Sequence, residues 1–349
     1  MAAVLGFAAA LWGLGWWLGV PPRRRLVPVA ILYLAVVAAH LLLPEGHALR
    51  AATGGGAEPW LALGLGGAVV LGYRAALGRL HARATPAPAP PRQGTFREAE
   101  LDRYARHIVL REIGGAGQKR LKAAKVLVVG AGGLGSPVLL YLAAAGVGTI
   151  GVIDDDVVEN ANLQRQVIHT DARIGLPKVQ SAEAAVRALN PFVEVRPYHR
   201  RLTPEIAADL IGDHDLVLDG SDNFDTRYLV NRICAAAGVP LIAAAMTQWE
   251  GQISLYDPAR GGPCFECVFP ERPAPGLVPS CAEAGIVAPL PGVMGSMMAV
   301  EAVKLLAGAG EGLRGRMLIF DALHAETRVV RLGPRAGCAA CGGYRAGAG

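Results

Sequence analysis

Charged residues are scarce in this sequence, and after residue 95 no excess of positive charge remains. Of the 349 residues, 18% are charged and 52% hydrophobic, which excludes disorder for most of the chain because so much apolar surface can be buried. Eight arginines and two glutamates give residues 1–95 a charge of +6, whereas residues 96–349 carry −1. The second part therefore lacks the basic excess typical of nucleic-acid binding. The length suggests two or three modules at the usual ~100–200 residues per domain.

Long segments of the N-terminal quarter contain almost no charge. Met1–Pro22 and Leu26–Leu43 have no charged residue, and Pro59–Leu80 has only two arginines. A cleaved signal peptide is the alternative for the first segment, but such a peptide carries its positive charge before the apolar stretch, whereas Arg23–Arg25 follow it. Crossing a hydrocarbon core of ~30 Å takes ~20 residues. We therefore predict transmembrane helices over about 2–20, 26–43 and 60–80.

The arginines predict how these helices are oriented, because short loops rich in Lys or Arg stay cytoplasmic. Arg23–Arg25 and the arginines after residue 73 would lie inside, and the loop 44–58, with one Arg and two Glu, outside. We expect a multi-pass protein of the inner (cytoplasmic) membrane with everything after residue 80 in the cytosol. The proline-rich stretch 84–95 is predicted to be an extended linker between a membrane module, 1–83, and a soluble domain, 96–349.

Strand-like apolar runs alternate with helix-like stretches in the soluble domain, as in βαβ units. We predict a Rossmann-like, doubly wound α/β fold whose mostly parallel sheet is extended by antiparallel strands near the C-terminus. The predicted strands are 125–129, 149–154, 193–198, 215–219, 239–243, 252–256, 317–321 and 327–332. The predicted helices are 137–145, 178–189, 204–211, 226–237 and 293–306.

A glycine-rich turn directly follows the first predicted strand and opens a helix. The spacing G-x-G-x-x-G allows a tight turn and close backbone approach, so that phosphates can rest on the helix N-terminus. Asp154 follows at the end of the second strand, where it can bind ribose hydroxyls. The pattern indicates a nucleotide and leaves NAD, FAD and ATP open. The glycines of the turn are Gly130, Gly132, Gly133 and Gly135.

Residues 154–166 and Lys178 favour a triphosphate. They place acids, Asn162 and Arg165 just beyond the ribose position. Cations neutralise the charge that builds on phosphates, and acids hold a divalent ion, whereas a nicotinamide enzyme has no need for such a cluster. A solvated surface charge is the alternative for each residue taken alone.

A second acidic motif, DGSDN over 219–223, follows the strand 215–219. Ligands of open α/β sheets bind beyond the carboxyl ends of the strands, so Asp222 is well placed to carry Mg²⁺ there. The alternative is an Asx turn or the N-cap of the next helix.

All six cysteines lie after residue 233. Two C-x2-C pairs supply four thiolates, a pattern typical of a closed, structural zinc site. Disulfides are the alternative, but the predicted cytosolic location is reducing. Cys234 is predicted to pack in the core, whereas Cys281 lies in a proline-rich loop where a nucleophilic thiol would be accessible. The predicted zinc ligands are Cys264, Cys267, Cys338 and Cys341.

Together these motifs resemble the ThiF/MoeB/HesA branch of the ubiquitin-activating-enzyme superfamily, which are adenylyltransferases for ubiquitin-like sulfur carriers. The resemblance begins at Arg103 and covers nearly all of 96–349, with the motifs in the same order and spacing, but none of it extends to residues 1–95. It includes GAGGLGSP (130–137), DDDVVENANLQRQ (154–166), GLPK (175–178), DGSDN (219–223), EGQ (250–252), CAEAGIVAPLPGVMGS (281–296) and both C-x2-C pairs.

The resemblance implies a homodimer that binds ATP and Mg²⁺ at each glycine loop and adenylates the terminal Gly-Gly carboxylate of a sulfur carrier of the thiamine, molybdopterin or a related pathway. Arg106 would act as an arginine finger on the partner subunit's nucleotide. Cys281 would match the cysteine that thiamine-type members link covalently to the carrier. The implied ligands are the glycine loop, Asn162, Arg165 and Lys178 for phosphate, Asp154 for ribose, Asp222 for Mg²⁺ and Asn223 for the nucleotide.

Only eight residues follow Cys341, so we expect a separate sulfurtransferase or desulfurase to donate the sulfur. Three other functions stay open at this point. A tRNA-modifying adenylating cyclase is disfavoured by the near-neutral domain and the four-cysteine pattern. A nicotinamide-dependent oxidoreductase is disfavoured by the phosphate-binding cluster, and a non-catalytic membrane scaffold by the intact motifs.

Overall fold

The computed structural model describes residues 2–18, 20, 22–54, 56–84, 96–273 and 284–344. The chain divides into two compact units, Met1–Pro90 and Pro91–Gly349. The helices of the first unit are α1 (Ala2–Trp17), α2 (Pro22–Leu42), α3 (Ala48–Thr53) and α4 (Glu58–Ala84).

The first unit contains the predicted apolar helices with somewhat different bounds. Two segments, Arg24–Leu42 in α2 and Glu58–Leu77 in α4, are long and apolar enough to cross a membrane, judged by length and composition. Helix α1, with 16 residues, is shorter, and α3 was not predicted. Most large apolar side chains of this unit are exposed, and the few polar contacts include the hydroxyl of Tyr33, which donates to the carbonyl of Trp60 at 2.8 Å.

The second unit contains an eight-stranded mixed sheet in the order β3-β2-β1-β4-β5-β6-β7-β8. The first five strands are parallel, and β6 to β8 are antiparallel. The predicted α/β class and the antiparallel extension are therefore confirmed. The strands are β1 (Lys125–Val129), β2 (Thr149–Ile153), β3 (Glu194–Tyr198), β4 (Leu216–Asp219), β5 (Leu241–Thr247), β6 (Glu250–Tyr256), β7 (Arg316–Asp321) and β8 (Glu326–Arg331).

Helices cover both faces of the parallel part. Alternate residues of β1 enter different cores, because successive strand side chains point to opposite faces. Val126 and Val128 pack with the helices over 135–145, 178–189 and 289–307, whereas Leu127 and Val129 pack with the helices over 204–212 and 224–237. Burial on both faces explains the continuous apolar runs of the strands. The helices of this unit are α5 (Glu98–Ile108), α6 (Gly114–Ala123), α7 (Gly135–Ala145), α8 (Lys178–Leu189), α9 (Pro204–Gly212), α10 (Phe224–Ala237), α11 (Phe265–Val268) and α12 (Pro289–Ala307).

Three of these helices were not predicted as such. Helices α5 and α6 contain few apolar residues, and α11 is a single turn. Helix α12 was predicted over a shorter range, and it too is long and apolar enough to cross a membrane. Half of its span is buried, however, and Met294 and Met298 lie inside the core shared with α7.

Candidate active site

A crevice opens where β1 and β4 lie side by side, because the chain leaves these strands toward opposite edges of the sheet. The glycine loop follows β1, and the DGSDN motif follows β4. The two approach closely: a Cβ added at Gly130, whose φ is +92°, would lie 3.2 Å from the carbonyl oxygen of Gly220. At Gly135 it would lie 2.0 Å from the carbonyl oxygen of Gly130. A side chain at either position would collide with these backbone oxygens, so the turn requires glycine there.

The glycine loop exposes backbone donors at the N-terminus of α7. The N–H of Gly130 bonds to Ile153, and that of Ser136 bonds to Gly132. Among the described residues, no group accepts a hydrogen bond from the N–H of Gly132, Gly133 or Leu134. Unpaired N–H groups and the positive end of the helix dipole together favour an anion such as phosphate.

Asp154 supports the glycine loop. Its Oδ2 accepts from the N–H of Ala131 and its Oδ1 from the N–H of Asp156, both at 2.8 Å. Lys178 lies nearby with only 6% of its side chain exposed, and its Nζ pairs with Oδ2 of the mostly exposed Asp156 at 2.6 Å. The ribose contact of Asp154 and the phosphate contact of Lys178 stay predictions.

Arg165 lies beside the loop, in line with its predicted role. Its Cγ is 3.8 Å from the position of a Cβ on Gly133. Its Nη2 donates to Oδ1 of Asn162 at 3.2 Å, and its Nη1 donates to the carbonyl of Ala161. Asn162 ends a short 3-10 helix (Asn160–Asn162) and thereby holds the guanidinium at the edge of the crevice.

The Asp and Asn residues of the DGSDN motif have different surroundings. Asn223 is the N-cap of α10, because its Oδ1 accepts from the N–H of Thr226 at 2.9 Å, so the capping alternative describes this residue. Asp222 is exposed and forms no hydrogen bond or ion pair with any described residue, which leaves its carboxylate available for a cation. Asp219 is buried, and its Oδ1 accepts from the N–H of Ser221.

One predicted site residue, Arg106, is not brought to the crevice of its own chain. Arg106 is exposed on α5, which packs at the far end of α7: the ring of Tyr104 lies against Gly146, one residue past the C-terminus of that helix. No described contact joins Arg106 to the glycine loop. Cys281 lies outside the described residues.

The four predicted zinc ligands form one cluster whose sulfur atoms all lie within 4.8 Å of one another. The Sγ of Cys264 is 3.8 Å from that of Cys267 and 3.7 Å from that of Cys338, and Cys267 is 3.5 Å from Cys341. A tetrahedral zinc with bonds of about 2.3 Å sets its sulfurs about 3.8 Å apart, whereas a disulfide needs about 2 Å. The cluster therefore fits zinc.

The thiols differ in acidity. Burial raises the pKa of Cys264 and raises that of Cys341 to about 11. Burial acts in the same direction at Cys267, but hydrogen bonds from the backbone at Arg335 and Cys264, together with those from the thiols of Cys341 and Cys338, outweigh it and lower the pKa to about 7. The isolated Cys234 is buried outside the cluster, as predicted, and burial raises its pKa well above the ordinary range.

The cluster is anchored to α10, the helix that begins at the crevice. Oδ1 of Asn231 accepts from the N–H of Phe265 at 2.8 Å, and its Nδ2 donates to Glu266. Arg232 pairs with the same carboxylate at 2.8 Å. Zinc would hold the C-terminal C-x2-C against this helix.

A model of the ThiF family matches residues 104–340. The chain belongs to the ThiF family. The family domain thus includes the glycine loop, the DGSDN motif and most of the cysteine cluster, and it lies wholly within the second unit.

Several curated proteins are similar to most of this chain. The "SAMP-activating enzyme E1" of Haloferax volcanii is 49% identical over 70% of this chain and 89% of its own length. The "Sulfur carrier protein adenylyltransferase" of Thermus thermophilus is 51% identical over 70% of this chain and 91% of its own length. The "Adenylyltransferase and sulfurtransferase MOCS3" of Bos taurus is 51% identical over 76% of this chain, which spans 58% of that protein.

A solved structure, E. coli MccB with ATP, has the same fold, with a TM-score of 0.60 and 24% identity over 72% of this chain and 77% of that one. At this identity the likeness concerns the fold alone.

Two residues that contribute to the site were not predicted. His169 bonds to the carbonyl of Ala131 in the glycine loop, and the buried Arg227 donates to the carbonyls of Ser221 and Ala244 behind the DGSDN motif. A single histidine or arginine has no spacing signal in a sequence, so neither could be singled out without its neighbours in space.

Proposed function

We propose that this chain adenylates the C-terminal Gly-Gly carboxylate of a ubiquitin-like sulfur-carrier protein, with ATP as the nucleotide donor. The main support is the row of unpaired N–H groups at Gly132, Gly133 and Leu134 with Arg165 beside it, which suits a polyphosphate. The relatives of Haloferax and Thermus, which match most of this chain's second unit, carry names of the same activity.

The reaction asks mainly for positioning and charge neutralisation. A carboxylate oxygen of the carrier attacks the α-phosphorus of ATP. The bond from that phosphorus to the oxygen that bridges to the β-phosphate breaks, pyrophosphate departs, and the carrier remains as an acyl-adenylate. The loop N–H groups, Arg165 and Lys178 would bind the phosphates, and Asp154 the ribose. Asp222 would hold Mg²⁺, which supplies further neutralisation of phosphate charge when bound.

A homodimer would complete the site through Arg106. Its helix packs at the opposite end of α7 from the loop, which supports a contact with the nucleotide of a partner subunit rather than its own. Val109 and Leu110, just beyond Arg106, are exposed apolar residues. A groove of about 900 Å³ between α7 and α12, lined almost entirely by apolar side chains such as Tyr141, gives a second copy further surface to cover.

The first unit would anchor this enzyme to the inner face of the cytoplasmic membrane. Two of its helices are long and apolar enough to span, and their large side chains are mostly exposed. The arginine distribution supports a cytosolic active site. The sulfur would come from a separate donor, because the described cysteines are either in the zinc cluster or, like Cys234, buried with a raised pKa.

Pyrophosphate exchange into ATP tests the activity. The full chain should catalyse exchange only with a carrier that ends in Gly-Gly, and a carrier without its last glycine is the control. Asp222→Ala should lower the rate by about 100-fold or more, because one charge-stabilising group is typically worth that much. Asp225→Ala, three residues away and paired with Arg272 on the surface, should leave the rate unchanged. Exchange without a carrier, or an unchanged rate in Asp222→Ala, would refute the proposal.

A further inference from the structure

A buried histidine joins the glycine loop to α8. His169, 5% exposed, lies between the 3-10 helix at Asp171–Arg173 and the cluster that ends at Gln166. Its Nε2 is 2.9 Å from the carbonyl oxygen of Ala131, and its Nδ1 is 2.9 Å from Oγ of the buried Ser181. The first contact connects residues 38 positions apart.

These contacts determine where the ring carries its proton. The carbonyl of Ala131 can only accept, so Nε2 carries the hydrogen, and in the neutral ring Nδ1 then accepts from the hydroxyl of Ser181. Burial lowers the pKa of His169, as do the nearby Lys178 and Arg173, against the opposing effects of the Ala131 carbonyl and Asp154. The ring is therefore neutral at pH 7, in one tautomer.

The bond to Ala131 also orients the next amide. The peptide between Ala131 and Gly132 is planar and trans, so its C=O and N–H point in opposite directions. When His169 holds the carbonyl toward the buried side, the N–H of Gly132 points to the other side, where no described residue accepts it. Asp154 holds the N–H of Ala131, which belongs to the preceding peptide, so the peptides on both sides of Ala131 are held in place.

We propose that His169 is a positioning residue that aims the N–H of Gly132 at the phosphates of the bound nucleotide. This inference rests on the proposed function, since it needs a polyphosphate in the crevice. It assigns to Ser181 the role of keeping the hydrogen of His169 on Nε2. The expected consequence is specific to phosphate, because this amide would bind a phosphate and not the adenosine part of the nucleotide.

A second buried histidine supplies a matched control. His214 is 4% exposed, and burial lowers its pKa, which favours the neutral ring as it does for His169. Its Nδ1 contacts the carbonyl of Leu210 at 2.7 Å, and its ring lies against Gly151 in the middle of β2. Because His214 precedes β4, it lies toward the opposite end of the sheet from the crevice. Replacing it also removes a buried, hydrogen-bonded ring from the core, but His214 has no contact with the glycine loop.

The experiment measures equilibrium binding of ATP and of adenosine to the purified full chain. His169→Asn loses the donor toward Ala131 and should weaken ATP binding about tenfold, with adenosine binding within about twofold of wild type. In His169→Gln the amide nitrogen reaches the position of Nε2, so ATP binding should recover to within about threefold. His214→Asn should bind both ligands as wild type does.

Each contrary outcome has a distinct meaning. Unchanged ATP binding in His169→Asn, an equal loss for ATP and adenosine, or no recovery in His169→Gln would overturn the positioning role. A loss of ATP binding in His214→Asn as large as in His169→Asn would do the same, since it would mark a general effect of core damage. A wild-type chain that binds no ATP would instead refute the proposed function, and this inference with it.

Discussion

Helix α4 of the first unit and helix α12 of the second contain apolar segments of similar length, and the two segments differ in what surrounds them. Each contains a segment of 19 or 20 residues that is apolar enough to cross a membrane. Only 6% of that segment is buried in α4, whereas half of it is buried in α12. Composition alone therefore predicts that both helices avoid water but not whether lipid or protein covers them.

Glycines show the same contrast at atomic scale. In α12, a Cβ on Gly295 would lie 2.4 Å from both the carbonyl oxygen of Leu134 and the ring of Pro137. In α4, Gly66, Gly67 and Gly72 have nothing within 4 Å of such an atom, and only Gly64, which lies against the hydroxyl of Tyr33, is closely packed among the described glycines of this helix. Close packing of α12 against the start of α7 places the helix directly beside the glycine loop. The apolar residues of α12 therefore support the loop from within the core.

The largest expected effect is on membrane association, which should depend on the first unit alone. The full chain should stay in the membrane pellet after an alkaline carbonate wash, whereas a chain without residues 1–83 should move to the supernatant, because the exposed apolar helices are gone and half of the apolar segment of α12 is buried in the protein core. Quantitative immunoblots of both fractions measure this. A shortened chain that stays in the pellet would show that the second unit has its own membrane-binding surface.

Metal removal should affect only the second unit, because all cysteines lie there. Cys338→Ser should lose its zinc, detected by elemental analysis, and lower the melting temperature of this unit by about 10 °C or more, since a structural zinc site contributes several kcal/mol. Cys234→Ala should keep a full equivalent of zinc, because Cys234 is outside the cluster. Equal zinc content in both variants would contradict the assignment of the ligands.

The glycine contrast predicts a smaller effect. Gly295→Ala should destabilise the second unit by about 1–3 kcal/mol, because the new methyl group overlaps backbone atoms that cannot move away cheaply. Gly67→Ala in α4 meets open space and should leave helicity unchanged or slightly higher. Circular dichroism during denaturation of the full chain in detergent measures both. A neutral Gly295→Ala would mean that α12 is packed more loosely than its contacts indicate.

Acidification should give the smallest effect, again confined to the second unit. Burial lowers the pKa of His169 and His214 below the ordinary value of 6.5, so the unfolded chain binds protons at a higher pH than the folded chain. Their contribution to stability is complete above about pH 6.5 and is lost as the pH falls below it. The denaturation midpoint should thus be lower at pH 5.5 than at pH 7.5.

The double variant His169→Asn, His214→Asn tests whether these two histidines cause the pH dependence of stability. Its stability should be lower at neutral pH but should change less between the two pH values. A pH dependence that is undiminished in the double variant would assign the effect to other groups.

Much of the second unit was predictable because its signals are local. Alternating apolar runs specify β1 to β8 to within a few residues, and the glycine spacing specifies the turn after β1. The two C-x2-C pairs identify the four-cysteine cluster although they lie 74 residues apart. Helices α5 and α6 were missed, because only a few of their residues are buried and several of these are polar or glycine, namely Glu100, Gly117 and Gln118.

The amino-acid sequence by itself determined the α/β class, the glycine-rich turn after β1 and the cysteine cluster, because each depends on the spacing of residues within one short segment or on a motif of fixed spacing. Tertiary structure alone decided that α12 is a core helix, that Asn223 caps α10 while Asp222 is left available, and that His169 reaches Ala131. The physical reason is common to all three. Burial, capping and hydrogen bonding depend on which partner arrives in space, and residues of the same composition have different partners once the chain is folded.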